Sequence, residues 1–238
     1  MLVLLSAGLV CLLIFMVSTA SATEFDYIPK YEYQRLEIFK EEEVPEDTYV
    51  IPKDEWFLKL VNKDNPIGTD YIINVKAINS YGYYFDERAI DKLFEMMDAG
   101  TAEGMQFKIS SGYRTIERQT ALYQQRINEL LAAGFAQADA ESIAASQVSP
   151  PGTSEHNLGL GVDIVSAGTG KLDETFEQTA EFKWLMENCT EYGFILRYPK
   201  DKEEITKVTY EPWHYRYVGV EDAKRITEMG VCLEEYLA

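Results

Sequence analysis

Histidine is scarce in this chain: 238 residues hold two, His156 and His214. Cysteine is nearly as rare, with three residues and no CxxC pair, so a zinc site built on paired thiolates is not indicated. Basic charge is also in short supply. Twenty-two Lys and Arg stand against 40 Asp and Glu, a net charge of −18. That balance excludes a nucleic-acid partner, which needs clustered positive charge. It says nothing about fold. Charge of either sign is missing from the first 22 residues. Their apolar run, Leu2 to Val17, is shorter than the roughly 20 residues of a membrane span.

Composition along the chain suggests three parts. Residues 1–22 end in Ala20-Ser21-Ala22, a small-residue cleavage signature, and read as a secretory signal peptide. No Lys or Arg precedes the apolar run, and an uncleaved anchor tethering the chain to a membrane is the alternative. Residues 23–54 are rich in Glu, Tyr and Lys, carry Pro29, Pro45 and Pro52, and show no apolar period through Lys40 to Asp47. They are expected to form an acidic linker or arm. Residues 55–238 have the length of one domain with a full core. Cys189 and Cys232 fall in apolar, helix-like settings and are expected as two buried free thiols, with a disulfide between them as the alternative.

The pattern within 55–238 mixes helices and short strands without a βαβ rhythm. It predicts an α+β domain with a small antiparallel sheet flanked by helices. A helix capped by Asp86 is expected to run through Met97, with Gly100 just past its end. Met105 to Ser110 alternates as a strand, and Thr115 caps a longer helix. A short helix over Ala138 to Ala145 precedes the chain break at Pro150-Pro151-Gly152. Gly161 to Val165 is a strand, and Phe176 to Tyr192 a helix ended by Gly193. Val208 to Tyr210 and Trp213 to Val218 are strands, and a last helical stretch starts at Glu221.

Each histidine has carboxylates close by. His156 lies in SEHNLGLGVD, seven residues before Asp163, which sits between the aliphatic Val162 and Ile164. A carboxylate buried there needs a partner, and a metal ion supplies one. An edge-strand aspartate facing water and a loop histidine are the plain alternative. His214 lies in EPWHYRYVG, three residues after Glu211 and across Pro212, which disfavours a helix and suggests an extended entry. An aromatic strand with a satisfied histidine would read the same way. SSGYRTIERQ sets Arg114 between a strand and a helix, where an anion could be held, with Gln119 one helical turn on.

Taken together, SGYR-x4-Q, SEHNLGLGVD, YGFILRYP and YEPWHYRYVG resemble, in order and spacing, the VanY-type D-alanyl-D-alanine carboxypeptidases. These are zinc-dependent peptidoglycan peptidases with the pattern S-x-H-x-x-G-x-A-x-D and a later E-x-x-H. The resemblance spans residues 55–238, and Gly161 departs from it where the family usually has Ala. It implies a single zinc-peptidase domain in which His156, Asp163 and His214 bind Zn²⁺ and Glu211 is the general base. Arg114 would steady the oxyanion or grip a carboxylate, and Gln119 and Ser154 would contact the substrate's terminal residue. The implied partner is a peptidoglycan stem peptide ending in D-alanine, met outside the cytoplasm, secreted or at a bacterial envelope. An L,D-carboxypeptidase, an endopeptidase cutting cross-links, a non-catalytic wall-binding module and a metal-free acidic wall protein are the other readings.

Overall fold

The computed structural model describes residue 51 and residues 55–78 and 82–238, which lie in one compact unit. The signal-peptide and linker expectations for 1–22 and 23–54 fall outside the described residues, residue 51 apart. Among the described residues no helix is long and apolar enough to cross a membrane.

A 3-10 turn at Trp56–Leu58 opens the domain. A hairpin of β1 (Val75–Ala77) and β2 (Tyr84–Asp86) follows, then α1 (Ile90–Ala102), β3 (Phe107–Ser111), α2 (Ile116–Ala132) and α3 (Gln137–Gln147). The four-residue α4 (Glu155–Leu158) leads straight into β4 (Gly161–Ser166). Next come α5 (Ala180–Asn188), β5 (Phe194–Leu196), the short α6 (Glu203–Thr206), β6 (His214–Tyr217), α7 (Val220–Met229) and α8 (Leu233–Tyr236). The main sheet is antiparallel throughout, in the order β3-β4-β6-β5.

Strand β4 is central and all six of its residues are buried. Val162 and Ile164 join a core with Phe85, Leu93, Met96, Leu185, Phe194 and Tyr215. A strand covered on both faces holds its register tightly, because a one-residue slip would exchange the faces of every side chain. That register sets Asp163 of β4 directly opposite His214 of β6. On the other side Ser111 of β3 pairs with Asp163 across a shift in the ladder after Ile109. The sheet alone therefore brings two residues 51 positions apart into contact.

Several local expectations need correcting. Asp86 ends β2 and does not cap α1, whose N-cap is Ala89. The Asp86 carboxylate is taken up by the Arg88 backbone N–H and guanidinium. α1 also runs through Gly100 to Ala102, and a Cβ at Gly100 would fall 2.3 Å from the Phe107 ring. The glycine serves packing there and does not stop the helix. The expected helix Phe176 to Tyr192 is divided into a 3-10 turn at Glu174–Gln178, α5, and a second 3-10 turn at Cys189–Tyr192 before Gly193. Val208 to Tyr210 makes no strand. Pro212 introduces a tight turn in which the His214 N–H donates to the Glu211 carbonyl, in place of an extended entry. Thr115 does cap α2, accepting from the Arg118 N–H, and Cys189 and Cys232 are buried free thiols.

Candidate metal centre and active-site cleft

The first histidine is placed by a local capping device. Ser154 is the N-cap of α4, and its hydroxyl accepts the His156 N–H at 3.3 Å. Gly159 ends this single turn in the left-handed region (φ 77°), where a Cβ would sit 2.2 Å from Ile73. The chain can therefore turn at once into β4. Asn157 fastens the turn to the neighbouring loop: its side-chain amide donates to the Arg114 carbonyl at 2.7 Å, and the Arg114 N–H donates to the His156 carbonyl at 3.0 Å.

These constraints converge His156, Asp163 and His214 in one buried cluster. One donor atom from each lies within 4.8 Å of the others. His156 Nε2 is 3.3 Å and His214 Nδ1 3.1 Å from the same oxygen, Asp163 Oδ1. Zinc bonds of roughly 2.05 Å in tetrahedral array put neighbouring ligand atoms about 3.3 Å apart, so these two edges fit the ion. The two rings stand nearly perpendicular, at 88°. His156 Nδ1 is engaged by the Gly112 carbonyl at 2.7 Å, which leaves Nε2 facing the cluster. All three residues also line a cleft of about 850 Å³, so a fourth position remains open to solvent and substrate. The donor set and its open side fit a catalytic zinc site.

Electrostatics reinforce the cluster. Burial, then the Arg114 guanidinium, push the His156 pKa down to about 4, so this ring is neutral and ready to donate a lone pair. Burial opposes charge on His214, but the carboxylates of Asp163 and Glu155 beside its ring prevail and raise it to about 9. For Asp163, burial is outweighed by the two imidazoles, and the carboxyl lies well below the ordinary range.

Glu211 sits beside the cluster, with Oε2 3.7 Å from His214 Nδ1. Burial lifts its pKa to about 8, with Asp163 and Glu155 adding to the rise and His214 and Arg114 opposing it. Such a carboxyl exchanges protons near neutral pH. Arg114 reaches from the β3–α2 loop, with Nη2 3.7 Å from Asp163 Oδ2. Its Nη1 donates to Gln119 Oε1 at 2.9 Å, and its buried Nε has no hydrogen-bond partner among the described residues. Gln119 is held at both ends of its amide, since its NH₂ also donates to the Ser149 carbonyl at 2.6 Å. All seven residues singled out in the sequence line the one cleft. Gln119 and Ser154 do so while fixing Arg114 and the α4 turn, respectively.

A family model described as VanY, D-alanyl-D-alanine carboxypeptidase, matches residues 82–220, well over half of the chain and all seven site residues. This chain belongs to the VanY family. A D-alanyl-D-alanine carboxypeptidase of Enterococcus faecalis is 44% identical over 183 residues, covering 77% of this chain and 66% of that relative. The chain thus spans just under two thirds of that relative's length. The solved structure of VanYB in complex with D-alanine-D-alanine superposes with a TM-score of 0.71 at 45% identity, covering 77% of this chain and 98% of that one. A VanY D,D-pentapeptidase mutant from a VanB-type vancomycin resistance cassette, solved with Zn(II), gives 0.70 at 44% identity, covering 77% of this chain and 100% of the other.

Glu155, Arg197 and Arg216, fully or almost fully buried behind His214, were not among the residues singled out in the sequence. For Arg197 in YGFILRYP and Arg216 in EPWHYRYVG the signal was present, since each is a charged residue between apolar or aromatic neighbours, where burial demands a partner; Glu155, between Ser154 and His156, carried no such signal.

Proposed function

We propose that this chain is a zinc-dependent D,D-carboxypeptidase that removes the terminal D-alanine from peptidoglycan stem peptides, acting outside the cytoplasm at a bacterial cell envelope. The observation that carries this reading is the meeting of His156, Asp163 and His214 within 4.8 Å on the wall of a cleft that Glu211 and Arg114 also line. The bound ligands of the relatives and the family match support it.

His156, Asp163 and His214 would hold the zinc ion. When bound, zinc acidifies water to a pKa of about 7 and polarises a carbonyl. The rest falls to the chain's own residues. Glu211 accepts a proton from the attacking water and hands it to the departing amine. The water oxygen bonds to the carbonyl carbon of the penultimate residue, the C–N bond breaks, and free D-alanine leaves beside a shortened peptide. Arg114, steadied by Gln119, offers fixed positive charge to the developing oxyanion or to the terminal carboxylate. Ser154 lines the same cleft and would meet the terminal residue there.

Synthetic penta- and tetrapeptide stems, incubated with the full chain and read by mass, test this. The reading expects loss of a single D-alanine from the pentapeptide, blocked by a chelator and restored by zinc. Loss from the tetrapeptide alone would replace it with an L,D-carboxypeptidase, and cleavage inside a cross-linked muropeptide, supplied as a third substrate, with an endopeptidase.

A further inference from the structure

Behind the metal cluster, the Glu155 carboxylate is completely buried. Its Oε1 accepts from Arg197 Nε at 2.7 Å and from Arg216 Nη1 at 2.6 Å. Among the described residues its Oε2 has no hydrogen-bond partner, and neither has His214 Nε2. These two unsatisfied atoms face each other at 3.5 Å. A buried donor and acceptor left unmade would each carry a desolvation penalty of about 1–3 kcal/mol, so their opposition is a placed contact awaiting slight closure. We infer that Glu155 is a positioning residue: it accepts the Nε2–H of His214 and thereby keeps the Nδ1 lone pair turned toward the metal.

Three features of the surroundings support this. First, the carboxylate is immobilised. Arg197 forks onto Glu234 at 2.9 and 2.7 Å, and Glu234 accepts from Asn62 at 3.2 Å. Arg216 donates to the Phe57 and Lys59 carbonyls at 2.8 and 2.9 Å. Second, the local charges balance, with two guanidiniums against Glu155 and Glu234, so Glu155 stays anionic and a strong acceptor. Third, Gly161 leaves room for the contact. A Cβ there would lie 3.0 Å from His214 Cε1 and Nε2 and 3.3 Å from the Glu155 carbonyl carbon.

The two histidines would then carry opposite tautomers. His156 keeps its proton on Nδ1, toward Gly112, and His214 keeps its proton on Nε2, toward Glu155. A residue that served only as counter-ion to Arg197 and Arg216 would not impose this.

The inference rests on His214 being a metal ligand, and the test separates the two ideas. In the zinc-loaded full chain with ¹⁵N-labelled histidine, two imidazoles should give two patterns, His156 protonated at Nδ1 and His214 at Nε2. In Glu155→Gln the amide can turn its NH₂ toward His214 Nε2, which then must accept. The zinc Kd should rise about 10–100-fold while the fold is kept. Wild type that takes up zinc with His214 protonated at Nδ1 overturns this inference alone. An E155Q protein with unchanged zinc affinity and an unchanged His214 pattern does the same. Wild type that takes up no zinc overturns the metal-site reading and the inference with it. If E155Q does not fold, the wild-type spectrum decides.

Discussion

Replacing Glu211 by Gln keeps the shape of the cleft and removes one ionisable group, so it probes the proposed base and its environment together. The folded Glu211 pKa of about 8 lies above its ordinary 4.5, because of burial and then the nearby carboxylates of Asp163 and Glu155. A raised carboxyl pKa means that the folded state binds more protons than the unfolded chain. Its contribution is therefore fully present below pH 4.5 and is lost as pH rises through 8. The side chain keeps 13% exposure, which discounts the full conversion and leaves a few kcal/mol. Metal-free wild type should thus lose stability between pH 5 and 9 more steeply than metal-free Glu211→Gln, by about 2–4 kcal/mol. Denaturant melts at pH 5, 7 and 9 measure this difference. With zinc restored, Glu211→Gln should keep its metal and lose about 10²–10⁴-fold in turnover of a pentapeptide stem. Parallel pH–stability curves for the two metal-free proteins, or turnover close to wild type, would refute the reasoning.

Other consequences are open to the same kind of test. Arg114→Ala should retain zinc but lose about 100-fold or more in kcat/KM, and unchanged kinetics would remove Arg114 from the site. His214, held near pKa 9 in the metal-free site by Asp163 and Glu155 against the effect of burial, must give up a proton to bind metal. The zinc Kd should fall by about tenfold per pH unit between 6.5 and 8.5 in competition titrations, and a flat profile would contradict it. Arg216→Met leaves the buried Glu155 carboxylate with one guanidinium and frees the Phe57 and Lys59 carbonyls. It should destabilise the fold by about 3–5 kcal/mol in denaturant melts, and a loss below about 1 kcal/mol would show that this network is not structural.

What was legible in the sequence was what its chemistry advertised. His156, Asp163, His214 and Glu211 stand in dense motifs, and the strand period through Val162-Asp163-Ile164 gives the side-chain placement that the sheet register then uses. Thr115 and the free thiols were also readable, because capping and apolar surroundings are local properties. The start of α1 was not. Asp86 has the chemistry of a cap, but Arg88, two residues on, competes for its carboxylate. Gly100 looks like a helix stop until the Phe107 ring packed against it is known. Long-range partners were the least visible. Glu155 meets Arg216 across 61 residues, and Arg197 meets Glu234 across 37, which no local spacing rule reaches. Gln119 was read as a substrate contact from the family resemblance; its engagement with the Ser149 carbonyl, 30 residues away, lies beyond the reach of local spacing.

Metal content measured on the purified full chain tests the central claim most directly. Wild type should carry close to one zinc per chain, and His214→Ala, purified identically and still folded, should carry little. A wild-type protein without metal that still releases D-alanine, or a His214→Ala protein with its full zinc, would contradict the account.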